Sequence, residues 1–149
     1  MEISGIQSQS WKLGQIGVVV RDMDKAVERL QGFGFGPFKD WVLPPDREEW
    51  FRGRPFLGPV KISVADVGGM QLELIQPDGE EGLHREYLDE KGEGIQHLMF
   101  TVADIEKEVA ALTEKGADVV LKANMPGGRS IAYVDLNVGG LVVELVQRS

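Results

Sequence analysis

The sequence predicts an α+β fold built from two tandem βαβββ modules, at residues 13–77 and 95–147, that together form a cupped mixed sheet. Three observations predict it. First, a strand-and-helix segment occurs twice. Gln15-Ile-Gly-Val-Val-Val-Arg-Asp-Met-Asp-Lys-Ala-Val matches His97-Leu-Met-Phe-Thr-Val-Ala-Asp-Ile-Glu-Lys-Glu-Val, and Asp22, Lys25, Val27, Leu30 and Gly34 meet Asp104, Lys107, Val109, Leu112 and Gly116 without a gap. Second, the end of each module repeats. Val67-Gly-Gly-Met-Gln-Leu-Glu-Leu-Ile-Gln and Val138-Gly-Gly-Leu-Val-Val-Glu-Leu-Val-Gln share the Val, the Gly pair, the Glu, the following Leu and the closing Gln. Third, these segments change period, from the alternation of strands to helical spacing and back.

Each element has its own warrant. Ile16–Val20 is rich in β-branched residues, which suits a strand. Asp22 is an N-cap residue, and Met23, Ala26, Val27 and Leu30 fall on one helical face. Gly32, Gly34 and Gly36 end that helix, and Pro37 prevents its resumption. Residues 40–59 hold Pro44, Pro45, Pro55 and Pro59 among Trp41, Trp50, Phe51 and Phe56, and read as a long irregular loop with an aromatic lining. Val60–Asp66 and Met70–Ile75 form a hairpin turned at Gly68-Gly69. Residues 78–91 carry Leu83, Tyr87 and Leu88 at helical spacing and read as a helix linking the modules, closed by Gly92 and Gly94. In the second module Asp104 caps a helix bearing Ile105, Val109 and Leu112, stopped at Gly116. Ser130–Leu136 and Leu141–Val146 then repeat the hairpin, turned near 137–140.

The composition excludes several classes of function. A chain of 149 residues is the size of one domain, and no internal boundary calls for a second. Cysteine is absent, so disulfides and thiolate metal sites are excluded, and any metal must take N and O donors. The net charge of −8 disfavours nucleic acid and anionic membranes as partners. No apolar run reaches the roughly 20 residues that span a bilayer. Met1–Ser10 is polar and lacks the apolar stretch of a secretion signal, so a cytoplasmic protein is expected.

Strand alternation decides where the polar residues point. Leu72 and Leu74 face one way and Glu73 the other; Val143 and Leu145 likewise flank Glu144. If the apolar set packs on the helices, both carboxylates face the concave side. Gln15 and His97 open the first strand of each copy, so the repeat symmetry relates them to each other and relates Glu73 to Glu144. Two carboxylates in one cavity require positive charge, and those strands carry no Arg or Lys. The expected partner is one divalent ion (Zn, Ni, Co, Mn or Mg) held by Gln15, Glu73, His97 and Glu144.

These residues carry a family resemblance. From Leu13 to Gln147 the chain resembles the vicinal oxygen chelate superfamily, which includes glyoxalase I, methylmalonyl-CoA epimerase, extradiol dioxygenases and bleomycin-resistance proteins. The four ligand positions of that family fall on Gln15, Glu73, His97 and Glu144, a set similar to the zinc form of glyoxalase I. Tyr87-Leu-Asp-Glu-Lys-Gly-Glu-Gly-Ile-Gln-His-Leu resembles an epimerase segment instead, although Gln96 stands where the epimerases have a second His, and positions 15 and 73 also depart from them.

The resemblance implies a metal-dependent epimerase or isomerase that removes a proton next to a carbonyl or thioester. Glu144 is the first candidate base, Glu73 its mate, and Glu48 or Glu49 a base outside the ligand set. Trp41, Trp50 and Phe56 would line the substrate site, and the substrate is an acyl-CoA or a glutathione adduct. The implied assembly is a homodimer, in which the modules of some relatives pair between chains. The competing readings are a lactoylglutathione lyase and a drug-binding protein without catalysis. A ring-cleaving dioxygenase would need two histidines and a carboxylate on iron. Only His84 and His97 exist, and the helical pattern around His84 gives it a structural or surface role.

Overall fold

The computed structural model describes residues 8–148; the N-terminal reading above falls mostly on residues outside that range. In chain order the strands are β1 (Lys12–Val19), β2 (Lys39–Trp41), β3 (Glu48–Phe51), β4 (Arg54–Pro55), β5 (Val60–Val67), β6 (Met70–Pro77), β7 (Gly94–Thr101), β8 (Asp118–Asn124), β9 (Ser130–Asp135) and β10 (Val142–Gln147). The helices are α1 (Met23–Gly32), α2 (Leu83–Lys91) and α3 (Ile105–Glu114). The strands pair in both parallel and antiparallel fashion. No helix among the described residues is long and apolar enough to cross a membrane.

Contacts divide the chain into two units. The first holds residues 15–43 and 58–97, and its strands run in the order β2-β5-β6-β1. β1 pairs with β6 in parallel, and β5 pairs antiparallel with both β2 and β6. The β5–β6 turn is the two residues Gly68 and Gly69, with φ of +57° and +86°. A two-residue hairpin requires such positive angles, and glycine adopts them without penalty. Asp22 caps α1 through its side chain, which accepts from Lys25 N at 3.1 Å. Met23 is buried with Val20 and Leu74, and Ala26, Val27 and Leu30 pack against that cluster. Burying a large apolar side chain contributes roughly 1.5–3 kcal/mol, so this face outweighs the weak intrinsic stability of a ten-residue helix.

The second unit holds residues 8–14, 44–57 and 98–148, with strand order β10-β9-β8-β3-β4. Asp104 caps α3 by accepting from Lys107 N, again at 3.1 Å. Ile105, Val109 and Leu112 are buried with Ala132, Val134, Val143 and Leu145. The β9–β10 connection is longer than its counterpart. Val142 pairs with Asp135, Asn137 takes φ +58°, and Asn137 N donates to Asp135 Oδ1 at 2.8 Å.

Two sequence expectations need correction. Residues 40–59 are not one irregular loop; they contain part of β2 and all of β3 and β4. Strands of two to four residues are too short to display a period, and the prolines interrupt what pattern there is. β3 and β4 are joined by Arg52 and Gly53, both at positive φ, and β3 pairs with β8 of the second module rather than with the module that precedes it. The linking helix starts at Leu83, not at 78. Gly79 and Gly82 precede it, and Gly82 at φ +116° ends the non-helical stretch.

Candidate metal centre

Alternation along β6 sends Leu74 into the α1 cluster and Glu73 to the opposite face, where it is 3% exposed. On β10 Val143 and Leu145 pack on α3, and the intervening Glu144 is also buried. His97 is 1% exposed on β7. Within the first unit Glu73 and His97 each offer a ligand atom, with His97 Nε2 3.3 Å from Glu73 Oε1; Glu144, on β10 of the second unit, is a buried carboxylate of the same kind. Glu73, His97 and Glu144 are thus all buried side chains of types that could hold a metal ion.

The first unit shows how the His97 position is made. In the β1–β6 register Gly17 lies beside Glu73, and a methyl group at Gly17 would overlap the His97 ring. The imidazole occupies space that only glycine leaves open. Its Nε2 lies 3.3 Å from Glu73 Oε1, an oxygen that accepts no hydrogen bond. Its Nδ1 lies 3.0 Å from Gln96 Oε1, which also lies 2.8 Å from His84 Nδ1. Desolvation lowers the His84 pKa from 6.5 to about 4, with the neighbouring His97 as the next contribution, so His84 is neutral at pH 7. His84 is thus tied to the site through Gln96, beyond the structural role its helix suggested.

The donor chemistry fits a divalent ion. Two carboxylates and an imidazole, all desolvated, are costly without a compensating cation, and they are the donors such ions take in a cysteine-free site. Gln15 lies inside β1, as its fourth residue, and is half-buried. Its amide nitrogen donates to Gln71 Oε1 at 2.8 Å, so a cation would use the carbonyl oxygen of Gln15.

The β3–β4 hairpin builds a separate groove of about 470 Å³, lined by Arg47, Glu48, Glu49, Trp50, Pro55, Phe56 and Leu57. Trp50 and Phe56 are brought together there, whereas Trp41 lies on β2 in the first unit. Glu48 is exposed, while Glu49 is buried and holds Arg47 Nε at 2.9 Å. Sequence reasoning could not rank these two carboxylates, because their faces depend on pairing with β8. It missed Gly17 and Gln96 as well. The glycine was the readable signal, since a Gly inside a β-branched run marks a close approach.

Residues 14–133 match the Glyoxalase/Bleomycin resistance protein/Dioxygenase superfamily. The uncharacterized protein YurT of Bacillus subtilis (strain 168) is 30% identical over 139 residues, covering 92% of this chain and 99% of YurT. The uncharacterized protein YqjC of the same organism is 25% identical over 91 residues, and the match spans 59% of this chain but 65% of YqjC. A variant of Streptomyces coelicolor methylmalonyl-CoA epimerase, solved in complex with 2-nitronate-propionyl-CoA, has a TM-score of 0.69 at 24% identity, covering 93% of this chain and 97% of that one. That likeness is one of fold.

Proposed function

From the premise that the chain belongs to the glyoxalase/bleomycin resistance protein/dioxygenase superfamily, we propose that it is a divalent-metal-dependent isomerase that moves a proton next to a carbonyl or thioester, with an acyl-CoA as substrate. The observation that carries this reading is the buried pair Glu73 and His97, 3.3 Å apart, with Glu144 as a third buried donor. Gln15 would complete the donor set through its carbonyl oxygen. A bound ion would polarise the substrate oxygen and stabilise the negative charge that develops as the proton leaves carbon.

The chain's own residues do the rest. Glu144 takes the proton from carbon and Glu73 returns one to it, so that the two related carboxylates serve as base and acid. His97 is held in place by the gap at Gly17 and by Gln96. Trp50 and Phe56 supply the apolar floor of the substrate groove. Arg47 borders that groove, and Arg52 and Arg54 stand exposed on the same hairpin, which suits a phosphate-bearing thioester on an otherwise acidic protein. Of the two groove carboxylates named from the sequence, Glu49 is the better candidate for a base outside the ligand set, because it is buried and fixed by Arg47; Glu48 is exposed. The active form is a cytoplasmic homodimer.

A second reading, lactoylglutathione lyase, is favoured by the Gln, Glu, His, Glu donor types. The third, a drug-binding protein, would use the aromatic groove alone. One experiment separates them. Protein loaded in turn with Zn, Ni, Co, Mn and Mg is incubated in D₂O with methylmalonyl-CoA, and separately with methylglyoxal and glutathione. Metal-dependent deuterium at C2 of the thioester is the expected result. Lactoylglutathione without C2 exchange would replace the epimerase reading with the lyase. Absence of both, with no bound ion and micromolar binding of an aromatic ligand, would leave the binder.

A further inference from the structure

We infer that His84 and Gln96 form a positioning relay that locks His97 as the tautomer protonated at Nδ1, so that its Nε2 lone pair is presented beside Glu73. The inference deepens the metal reading and rests on it for its purpose, though not for its geometry.

The argument begins with one oxygen. Gln96 Oε1 lies 2.8 Å from His84 Nδ1 and 3.0 Å from His97 Nδ1. A carbonyl oxygen has two lone pairs and no proton, so it accepts from both rings, and each Nδ1 carries its hydrogen. The same oxygen fixes the proton of His97. In a neutral His97 ring this leaves the lone pair on Nε2, which lies 3.3 Å from Glu73 Oε1. Two acceptors facing each other in a buried site repel unless a cation lies between or beside them. The relay thus prepares a ligand nitrogen before any ion arrives, as the outer partner of a metal-binding histidine does.

The relay is also built into the fold. Gln96 and His97 are adjacent on β7, and both are buried. The α2 helix delivers His84 to the far side of Gln96, with the two imidazole centroids 6.4 Å apart. This gives the short linking helix a task at the site. The opposite amide orientation of Gln96 would place its –NH₂ between the rings, demand bare Nδ1 atoms, and put the His97 proton on Nε2, facing Glu73.

The chain has only two histidines, so long-range ¹H–¹⁵N spectra of the metal-free protein at pH 7.5 read both tautomers directly. A proton on Nδ1 in both rings is expected. A proton on His97 Nε2, in a neutral ring or an imidazolium, overturns the relay. Zinc affinity, measured by competition with a chromophoric chelator, supplies the second readout. Gln96→Met removes the acceptor and is expected to weaken zinc binding about 10- to 100-fold, while Gln96→Glu, which keeps an acceptor between the rings, restores most of it. Unchanged affinity in a folded Gln96→Met protein also overturns the inference. If Gln96→Met does not fold, the wild-type spectra still decide. A wild-type protein with both Nδ1 protons in place but no zinc affinity would remove the metal reading and leave the tautomer lock standing.

Discussion

The two modules solve the same structural problem with the same bonds and then diverge at the site. In the first, Asp22 accepts from Lys25 N at 3.1 Å and Gln76 Oε1 accepts from Met23 N at 2.8 Å. In the second, Asp104 accepts from Lys107 N at 3.1 Å and Gln147 Oε1 from Ile105 N at 2.8 Å. Val20 N donates to Ile75 O and Val102 N to Val146 O, both at 2.9 Å. The framework is a faithful duplicate. The site residues are not: Gln15 donates to Gln71, while its counterpart His97 is fixed by Gln96 over Gly17. Capping a helix and joining it to a sheet edge has one economical solution, so both copies keep it. Chemistry needs unlike donors, so the copies part there.

The sharpest test of that division is activity. His97→Ala should reduce metal-dependent C2 exchange on the order of 1,000-fold, the scale of several kcal/mol that a metal supplies to developing charge. Gln15→Ala should cost on the order of tenfold, because an amide oxygen is the weakest of the four donors. Equal losses in steady-state kinetics would mean that the two positions remain functional equivalents.

The next largest effect concerns the segment with no counterpart, residues 44–57. Arg47 and Glu49 form an ion pair at 2.9 Å with both side chains 7% exposed. Removing one partner of a buried pair leaves an uncompensated charge, which costs about 3–5 kcal/mol. Arg47→Met should therefore lower unfolding free energy in urea by that amount, and Arg47→Met with Glu49→Leu should recover most of it. A single-mutant loss under about 1 kcal/mol, as for an exposed pair, would mean the hairpin is not anchored by this contact.

Position 17 and its counterpart 99 contrast the copies at finer scale. The first must be empty of side chain for His97 to fit, and the second carries the buried Met99. Gly17→Ala should destabilise by about 1–3 kcal/mol through overpacking, whereas Met99→Leu, which conserves volume, should cost less than about 1.5 kcal/mol. Thermal unfolding of the two variants measures the difference. A Gly17→Ala protein as stable as wild type would show that His97 can be seated elsewhere.

These contrasts follow the limit of what the sequence revealed. The repeat made the caps, the hairpin at Gly68-Gly69 and the inward placement of Glu73, His97 and Glu144 legible, because each is a local pattern that occurs twice. Features that occur once had no such confirmation. Glu49 is buried through the pairing of β3 with β8, where Glu49 meets Ala123, a partner distant in sequence. Gln96 reads as an ordinary strand residue until α2 brings His84 to it. Long-range pairing, not local propensity, decides both.

The smallest predicted effect tests the duplicate itself. Each helix leaves its first amide hydrogens without partners inside the helix. Here the Asp side chain takes the hydrogen of the third residue, and a glutamine from the last strand of the same module takes that of the first. Asp22→Ala and Asp104→Ala should each lower stability by about 1 kcal/mol, since the geometry and the lost acceptor are the same. Because the two caps share no partner, the double variant should lose the sum, within about 0.5 kcal/mol. Urea titration with fitted m-values measures all three proteins. Equal single losses with a simple sum would make the equivalence energetic as well as geometric. Unequal losses would trace to what each cap holds down: Asp22 secures a helix whose apolar face is mostly half-buried, whereas Asp104 secures one that buries Ile105, Val109 and Leu112, so packing can compensate for a missing cap more fully in α3 than in α1.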